Sequence, residues 1–223
     1  ALQFYELIDS AKIHSMTAYQ RRFHPLYSSF KNSVRGLGSP SFIQMNYLIS
    51  SKNPNSGWRG SREICGGGVL LDMGYHLIDM LIWFMEGRPD WVRMRSSKRA
   101  NQAYDVEDSC SVDFEIDGVP GNMLISCVAP EHSESIIILG DRGSSLLGRE
   151  YMVTKNVSGN EIDRLEAPKK WSSANINQFD YFCSVLRGDR DPWYSTPEFQ
   201  IEYHVPIIDA CYRSADQDRI VYL

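Results

Sequence analysis

The sequence predicts an α+β fold in which an open, predominantly antiparallel β-sheet carries its helices on one face. Two observations predict it. Between Trp91 and Thr154, short β-prone segments alternate with turns, and segments of helical periodicity lie on both sides of this region. Asp117-Gly118 and Gly140-Asp141-Arg142-Gly143 are tight-turn signals between the strands. Strands joined by tight turns pair with opposite directions, so the sheet is expected to be mainly antiparallel.

The first part of the chain alternates between helical and β-prone patterns. Apolar residues at helical spacing predict the first two helices, and Gly36-Leu37-Gly38 ends the second. A stretch rich in Lys, Asn, Pro, Ser and Gly predicts a long loop before an apolar helix. The predicted elements are a helix over 2–14, a strand over 17–23, a helix over 26–34, a strand over 41–51, a loop over 52–68 and a helix over 69–85.

The second part of the chain supplies most of the sheet. A polar stretch at 158–172 predicts a loop before two further helices. The predicted strands are 91–95, 109–116, 122–128, 135–139, 145–149, 151–157 and 219–223, and the predicted helices are 174–187 and 197–215. A sheet with helices on one face leaves the other face open. If that face is apolar, we expect it to be buried against another subunit.

Composition restricts the classes of partner. The chain has 223 residues, a formal net charge of -5 and 43% hydrophobic residues, which suits one large globular domain. Its acidic balance argues against a nucleic-acid partner and against attraction to an anionic membrane surface. No apolar run approaches the ~20 residues of a membrane span. Five widely spaced cysteines suit reduced thiols, so a cytoplasmic location is expected.

A dinucleotide-binding motif is missing from the sequence. Such a site requires Gly-x-Gly-x-x-Gly between a strand and a helix. The nearest fragment, Gly36-Leu37-Gly38, follows a predicted helix and lacks the third glycine. We therefore expect no Rossmann domain within these 223 residues.

The segment that carries chemistry runs from Gly66 to Leu81. Asp72 and His76 are four residues apart, so they are expected on one face of the helix, and Asp79 lies near that face. An imidazole beside a carboxylate suits proton transfer near neutral pH. The three glycines, Gly66-Gly67-Gly68, are expected to expose N–H groups to a polar ligand. Spacing alone also permits a surface pair, a core histidine, or a metal site built from Asp72, His76 and Asp79.

These residues resemble a known family. Gly-Gly-Gly-x-Leu-x-Asp-x-Gly-x-His-x-x-Asp, at residues 66–79, is similar to the signature of the C-terminal domain of the glucose–fructose oxidoreductase, inositol dehydrogenase and MocA (Gfo/Idh/MocA) family. The segments 19–25 (Tyr-Gln-Arg-Arg-Phe-His-Pro), 58–59 (Trp-Arg) and 208–215 resemble other parts of the same domain, in the expected order. The resemblance spans nearly the whole chain.

The resemblance implies an activity. Family members have an N-terminal Rossmann domain that binds NAD or NADP, and an open-sheet, dihydrodipicolinate-reductase-like C-terminal domain. The C-terminal domain contacts the substrate and forms a homodimer or homotetramer. Hydride passes between the nicotinamide and a sugar, nucleotide sugar or polyol. By motif, His76 is the acid/base and Asp72 positions the substrate or the imidazole. Gln20 is expected to contact substrate, as are Arg21 and Arg22 beside it, and Trp58 and Arg59 at the rim.

The same resemblance implies that essential parts lie elsewhere. The family's catalytic lysine belongs to the nucleotide domain, and none of the lysines here sits in the corresponding Glu-Lys-Pro motif. We expect residues 1–223 to be one substrate-binding and oligomerisation domain, with 1–23 as the junction to a Rossmann domain, and we expect it to be inactive alone. The alternative is a non-catalytic dimerisation or carbohydrate-binding module. Trp193-Tyr194 is compatible with an interface patch or a lid.

Overall fold

The computed structural model describes residues 2–167, 172–191 and 196–223, and within them it forms a single nine-stranded sheet. The predicted Trp193-Tyr194 patch lies outside the described residues. The strand order is β8-β7-β6-β5-β1-β4-β3-β2-β9. The strands are β1 (Pro40–Ser50), β2 (Trp91–Ser97), β3 (Ser109–Ile116), β4 (Val119–Ser126), β5 (Val128–Gly140), β6 (Gly143–Gly148), β7 (Tyr151–Asn156), β8 (Glu161–Glu166) and β9 (Val221–Tyr222).

The helices precede, interrupt and follow this sheet. They are α1 (Leu2–Ala11), α2 (Pro25–Gly36), α3 (Arg62–Cys65), α4 (Tyr75–Met85), α5 (Ser172–Leu186), α6 (Pro197–Phe199) and α7 (Val205–Gln217). Short 3₁₀ turns cover Gln20–Phe23 and Gly57–Gly60. Two segments with π-helical hydrogen bonding, Leu70–Gly74 and Gln200–His204, run directly into α4 and α7. Such segments inside helices are often found at functional sites.

The sheet is open and mostly antiparallel with helices on one face, as the sequence predicts. The exception is the central strand β1, which pairs antiparallel with β5 and parallel with β4. A parallel neighbour requires a long connection rather than a tight turn. Here that connection includes α3, the first π-helical segment and α4, so the apolar helix lies directly over the centre of the sheet.

Two of the predicted elements are wrong. The segment 17–23 is a 3₁₀ turn, in which the N–H groups of Arg22 and His24 bond to the carbonyls of Tyr19 and Arg21. A β-prone sequence becomes a strand only where a neighbouring strand pairs with it, and within the described residues this segment has none. Conversely, part of the predicted loop at 158–172 pairs with β7 and forms β8.

The core lies between the helical layer and the inner face of the sheet. Fully buried Tyr27 and Phe30 of α2 and Leu77 and Leu81 of α4 contribute to it, together with Met45 at the centre of β1. The helical stretch Arg62–Met85 is long and apolar enough to cross a membrane by length and composition, but 67% of its most apolar window is buried inside the fold. This stretch is therefore a core helix of the fold.

Candidate active site

The start of the glycine-rich helix is capped from within the protein. Glu107 accepts hydrogen bonds on Oε1 from the N–H groups of Gly68 (2.9 Å) and Leu70 (3.2 Å), and its backbone carbonyl accepts one from Val69 (3.0 Å). Tyr212 also donates to Glu107 Oε1, at 2.8 Å. Of the predicted donors, the N–H groups of Gly66 and Gly68 are therefore bonded within the protein, to the Arg62 carbonyl and the Glu107 carboxylate, and not to a ligand.

Close packing accounts for two glycines of the motif. A Cβ atom on Gly68 would lie 2.0 Å from the backbone oxygen of Glu107. A Cβ atom on Gly74 would lie 2.7 Å from Leu70 Cδ1 and 2.9 Å from Ile125 Cδ1. All three distances are shorter than van der Waals contact between carbon and oxygen or carbon atoms allows. The glycines therefore let the helix approach the Glu107 loop and strand β4, rather than a ligand.

Asp79 belongs to a buried ion pair and not to the predicted chemical face. Arg22 Nε bonds to both of its carboxylate oxygens, at 3.1 and 3.0 Å, and Arg22 Nη2 lies 2.5 Å from Oδ1. His204 Nε2 is 3.1 Å from the same oxygen. All three side chains are at most 3% exposed. Arg22, predicted to contact substrate, instead neutralises Asp79 inside the fold, and His204 is a buried core histidine.

Asp72, Trp58 and Arg59 form one part of the candidate site. Arg59 Nε lies 3.6 Å from Asp72 Oδ1, and the guanidinium of Arg59 lies 5.1 Å from the centre of the Trp58 ring. These side chains border a cavity of about 250 Å³ that reaches the glycine segment at Gly67 and Gly68. The predicted rim residues therefore lie beside Asp72, and all three remain exposed.

His76 lies half-buried in the second part of the site. Burial and, to a smaller extent, the charge of Arg21 lower the pKa of His76 to about 4, against a smaller opposing effect of the Asp79 charge. The imidazole is 4.0 Å from the ring of Tyr75, centre to centre. At neutral pH the ring is therefore uncharged and has a nitrogen available to accept a proton.

Asp72 and His76 were expected on one face of the helix, but no hydrogen bond joins them among the described residues. Asp72 lies in the π-helical segment Leu70–Gly74, whereas His76 lies in α4. The α-helical spacing rule does not hold across that change of hydrogen-bond pattern, and the carboxylate faces Arg59. Of the two roles predicted for Asp72, positioning of the substrate is the one this geometry supports.

Arg21 is held beside His76 by residues from three other elements. Its Nη2 atom lies 3.1 Å from Glu134 Oε1, and Tyr27 donates to the same oxygen at 2.7 Å. The guanidinium lies 4.6 Å from the centre of the Tyr47 ring. Gln20, the neighbouring residue, is half-buried, and its side chain makes no hydrogen bond within the described residues. Gln20 and Arg21 both lie in the 3₁₀ turn before α2.

Sequence reasoning missed the residues that support the site. Glu134 occupies an inward position of β5, two residues before buried Ile136 and four before buried Ile138. An acid in the core-facing register of a strand is a signal that it has a buried partner. Glu107 and Tyr27 carry no comparable signal in the sequence.

The described residues contain no group of three or more His, Cys, Asp and Glu side chains placed to hold a metal ion. Asp72, His76 and Asp79, which spacing alone allowed as a metal site, do not converge. The carboxylate of Asp79 is bonded to Arg22 and His204, and that of Asp72 faces Arg59.

Comparison with known proteins identifies the class. Residues 35–145 match the model of the GFO/IDH/MocA C-terminal domain. The rhizopine catabolism protein MocA of Rhizobium meliloti is 23% identical over 138 residues, which are 61% of this chain and 39% of that protein. The NADP⁺-dependent D-xylose 1-dehydrogenase of Haloarcula marismortui is 23% identical over 210 residues, which are 84% of this chain and 55% of that enzyme.

Solved structures share the fold. A levoglucosan dehydrogenase in complex with NADH and levoglucosan superposes with a TM-score of 0.81 at 21% identity, covering 98% of this chain and 68% of that one. The aldose-aldose oxidoreductase of Caulobacter crescentus, complexed with glycerol, gives 0.81 at 21% identity, covering 96% and 65%.

The chain carries the C-terminal domain of the GFO/IDH/MocA family of oxidoreductases, as its motifs predict. It spans 39% and 55% of the lengths of the two curated relatives described above.

Proposed function

We propose that this chain is the substrate-binding and assembly domain of an NAD(P)-dependent oxidoreductase that acts on a sugar, nucleotide sugar or polyol. The observation that carries the proposal is the state of His76, whose imidazole is uncharged at neutral pH. The charge of Arg21 contributes to this state, and Nη1 of Arg21 makes no hydrogen bond within the described residues. A similar D-xylose dehydrogenase and a levoglucosan dehydrogenase of the same fold support the substrate class. The relatives' cofactors, NADP⁺ and NADH, support the cofactor class but do not choose between NAD and NADP.

The residues of this chain are suited to proton transfer and substrate binding. In the oxidation direction, a substrate hydroxyl gives its proton to a nitrogen of His76 while its carbon loses a hydride, and the reverse reaction returns that proton. A nicotinamide held by another part of the enzyme would supply the hydride acceptor or donor. Asp72 and Arg21 position the substrate on either side of the imidazole, with Gln20 beside Arg21 and Trp58 and Arg59 at the rim.

The described residues do not fit the nucleotide itself. At the glycine-rich helix start, the N–H groups of Gly68, Val69 and Leu70 are already bonded to Glu107, so they are not available to a pyrophosphate. We therefore assign NAD(P) binding mainly to a Rossmann domain outside these 223 residues, and we expect the chain alone to be inactive. Helix α1 supports residues 1–23 as the junction, because its Leu2, Phe4 and Leu7 side chains are more than 60% exposed and a neighbouring domain would cover them.

Assembly through the open face of the sheet is the second part of the proposal. Phe42, Leu124 and Leu139 are 38–40% exposed on three adjacent strands, β1, β4 and β5. Apolar side chains that share one face are normally covered in the assembled protein, here by a second copy in a homodimer or homotetramer. Leu124→Asp should shift the complete protein toward monomer in analytical ultracentrifugation, and an unchanged mass would contradict this interface.

Free thiols support the proposed cytoplasmic location, because none of the five cysteines, all within the described residues, forms a disulfide. The proposed partner of the site is a small-molecule sugar or polyol substrate.

Replacement of His76 tests the function. In the protein encoded by the complete gene, His76→Ala should reduce NAD(P)⁺-dependent oxidation of a sugar such as D-xylose by roughly 10²–10⁴-fold. His14→Ala is the matched control, because His14 is exposed and distant in sequence from the signature helix. A change within threefold for His76→Ala would remove its role. If the complete protein turns over no sugar with either nicotinamide, the alternative of a non-catalytic carbohydrate-binding or dimerisation module is correct.

A further inference from the structure

Arg21 differs from an ordinary buried arginine in one respect. Its side chain is 7% exposed, yet Nη1 is buried and makes no hydrogen bond within the described residues. Leaving a buried donor without an acceptor costs free energy, and more so when the group is charged. Buried polar atoms of this kind usually mark a position where water or a ligand supplies the missing partner.

The rest of the guanidinium is fixed tightly enough to make that position specific. Glu134, whose side chain is 6% exposed, holds Nη2, and the hydroxyl of fully buried Tyr27 holds Glu134. The ring of Tyr47 covers one face of the guanidinium. The three partners come from β5, α2 and β1. A planar group held on three sides presents its remaining N–H groups in a fixed direction.

The open nitrogen belongs to the site around His76. The Tyr19 ring, two residues before Arg21, lies 6.2 Å from the ring of Tyr75, so the turn that carries Arg21 lies against the start of α4. The Tyr75 ring is 4.0 Å from that of His76, and its hydroxyl has no hydrogen-bond partner within the described residues. The charge of Arg21 also affects the pKa values of both Tyr75 and His76, in agreement with this arrangement.

The charges around this site are balanced. Arg21 is paired with Glu134 at 3.1 Å, and Arg59 is paired with Asp72 at 3.6 Å. Recognition of a carboxylate or phosphate on a substrate generally uses arginines whose charge is available to the anion. A guanidinium whose charge is already neutralised suits an uncharged oxygen, such as the hydroxyl of a polyol.

We propose that Glu134 is a positioning residue that fixes Arg21 so that Nη1 donates a hydrogen bond to a hydroxyl oxygen of an uncharged sugar or polyol beside His76. The identity of the ligand rests on the proposed function. Arg21 contacts the substrate directly, whereas Glu134 and Tyr27 act through Arg21. No bond is made or broken by any of these three residues.

Steady-state kinetics of the complete protein test the positioning role. With the best substrate among D-xylose, levoglucosan, D-glucose and myo-inositol, Glu134→Gln should raise KM about tenfold or more and change kcat by less than about threefold. Tyr27→Phe should raise KM by a smaller factor, because Glu134 keeps its contact with Arg21. Glu86→Gln is the control, since Glu86 is an ion-paired carboxylate on the surface. An unchanged KM in a folded Glu134→Gln protein overturns the inference.

Direct binding separates this inference from the proposed function, because it requires no turnover. In NMR titrations of the ¹⁵N-arginine-labelled chain, D-xylose should shift the Arg21 Nε–H resonance saturably in the wild type. The shift should be lost in Glu134→Gln, or in Tyr27→Phe if the first variant does not fold. Absence of a wild-type shift, or a larger response to the sugar acid D-xylonate than to D-xylose, overturns the inference even if the complete protein proves to be an oxidoreductase.

Discussion

The buried and the partly exposed residues of the segment Gly66–Met85 differ in their hydrogen bonding. The polar groups of the buried residues have partners within the protein, whereas those of some partly exposed residues do not. On the buried side, Asp79 is bonded to Arg22 and His204, and the N–H groups of Gly68 and Leu70 are bonded to Glu107. On the exposed side, His76 has no hydrogen bond within the described residues. The buried contacts therefore stabilise the fold, whereas the exposed groups are available to a substrate.

The largest effect is expected on the buried side, at Asp79. Asp79→Ala leaves the buried Arg22 guanidinium without its carboxylate, so the free energy of unfolding should fall by about 3–5 kcal/mol. Urea denaturation of the 223-residue chain measures it. Asp209→Ala removes an exposed carboxylate paired with Arg213 and should cost less than about 1 kcal/mol. Equal losses in the two variants would contradict the distinction between buried and exposed groups.

Gly68 tests the close approach of the helix to the Glu107 loop. Gly68→Ala should lower the free energy of unfolding by about 1–3 kcal/mol, because its Cβ would overlap a backbone oxygen that cannot rotate away. Gly36→Ala is the matched control: it lies at the end of α2 with open space around it and should be neutral or stabilising by up to about 1 kcal/mol. A destabilised Gly36→Ala together with an unaffected Gly68→Ala would refute the packing explanation.

On the exposed side, the pKa of His76 should depend on Arg21. Arg21→Met removes a positive charge that lowers this pKa, so the value should rise above about 4 while burial keeps it below 6.5. NMR titration of the imidazole measures it. Arg59→Met is the control and should leave the titration of His76 unchanged, since Arg59 faces Asp72. An unchanged pKa of His76 in Arg21→Met would mean that the two side chains are not neighbours.

A smaller effect on stability follows from the same pKa. The pKa of His76 falls from 6.5 to about 4 on folding, so below pH 6.5 the unfolded chain binds the proton more readily. Stability from this residue is present above pH 6.5 and is lost as the pH falls toward 4. Burial also lowers the pKa values of His24 and His132, so the wild type must be compared with His76→Gln. The variant should lose less stability between pH 7 and pH 4.5.

Much of the fold was predictable because periodicity is a local property. The helix over 69–85, the strands between Trp91 and Thr154 and the open antiparallel sheet all follow from patterns within short windows. The segment 17–23 was mispredicted because strand formation depends on a partner, and β8 was missed because its polar sequence pairs with β7 only along an exposed edge.

The candidate site was predictable only in part. The motif identified His76 and Asp72, and the structure brings Trp58 and Arg59 beside Asp72. Their roles as catalytic and substrate-binding residues stay predictions. Arg21 and Arg22 are adjacent in the sequence, yet one borders His76 and the other neutralises Asp79. Adjacent side chains in a tight turn point in different directions, and sequence does not reveal which buried partner each one meets.

The sequence by itself determined the fold class, the glycine-rich helix and the family, because these depend on local periodicity and on a motif of fixed spacing. Tertiary structure decided which charges are paired. Glu107, Glu134 and His204 lie 39, 113 and 125 residues from Gly68, Arg21 and Asp79, and only folding brings each within hydrogen-bonding distance. A charge is stable inside a protein only beside such a partner. Which polar groups stabilise the fold and which remain available to a substrate is therefore decided only once the chain has folded.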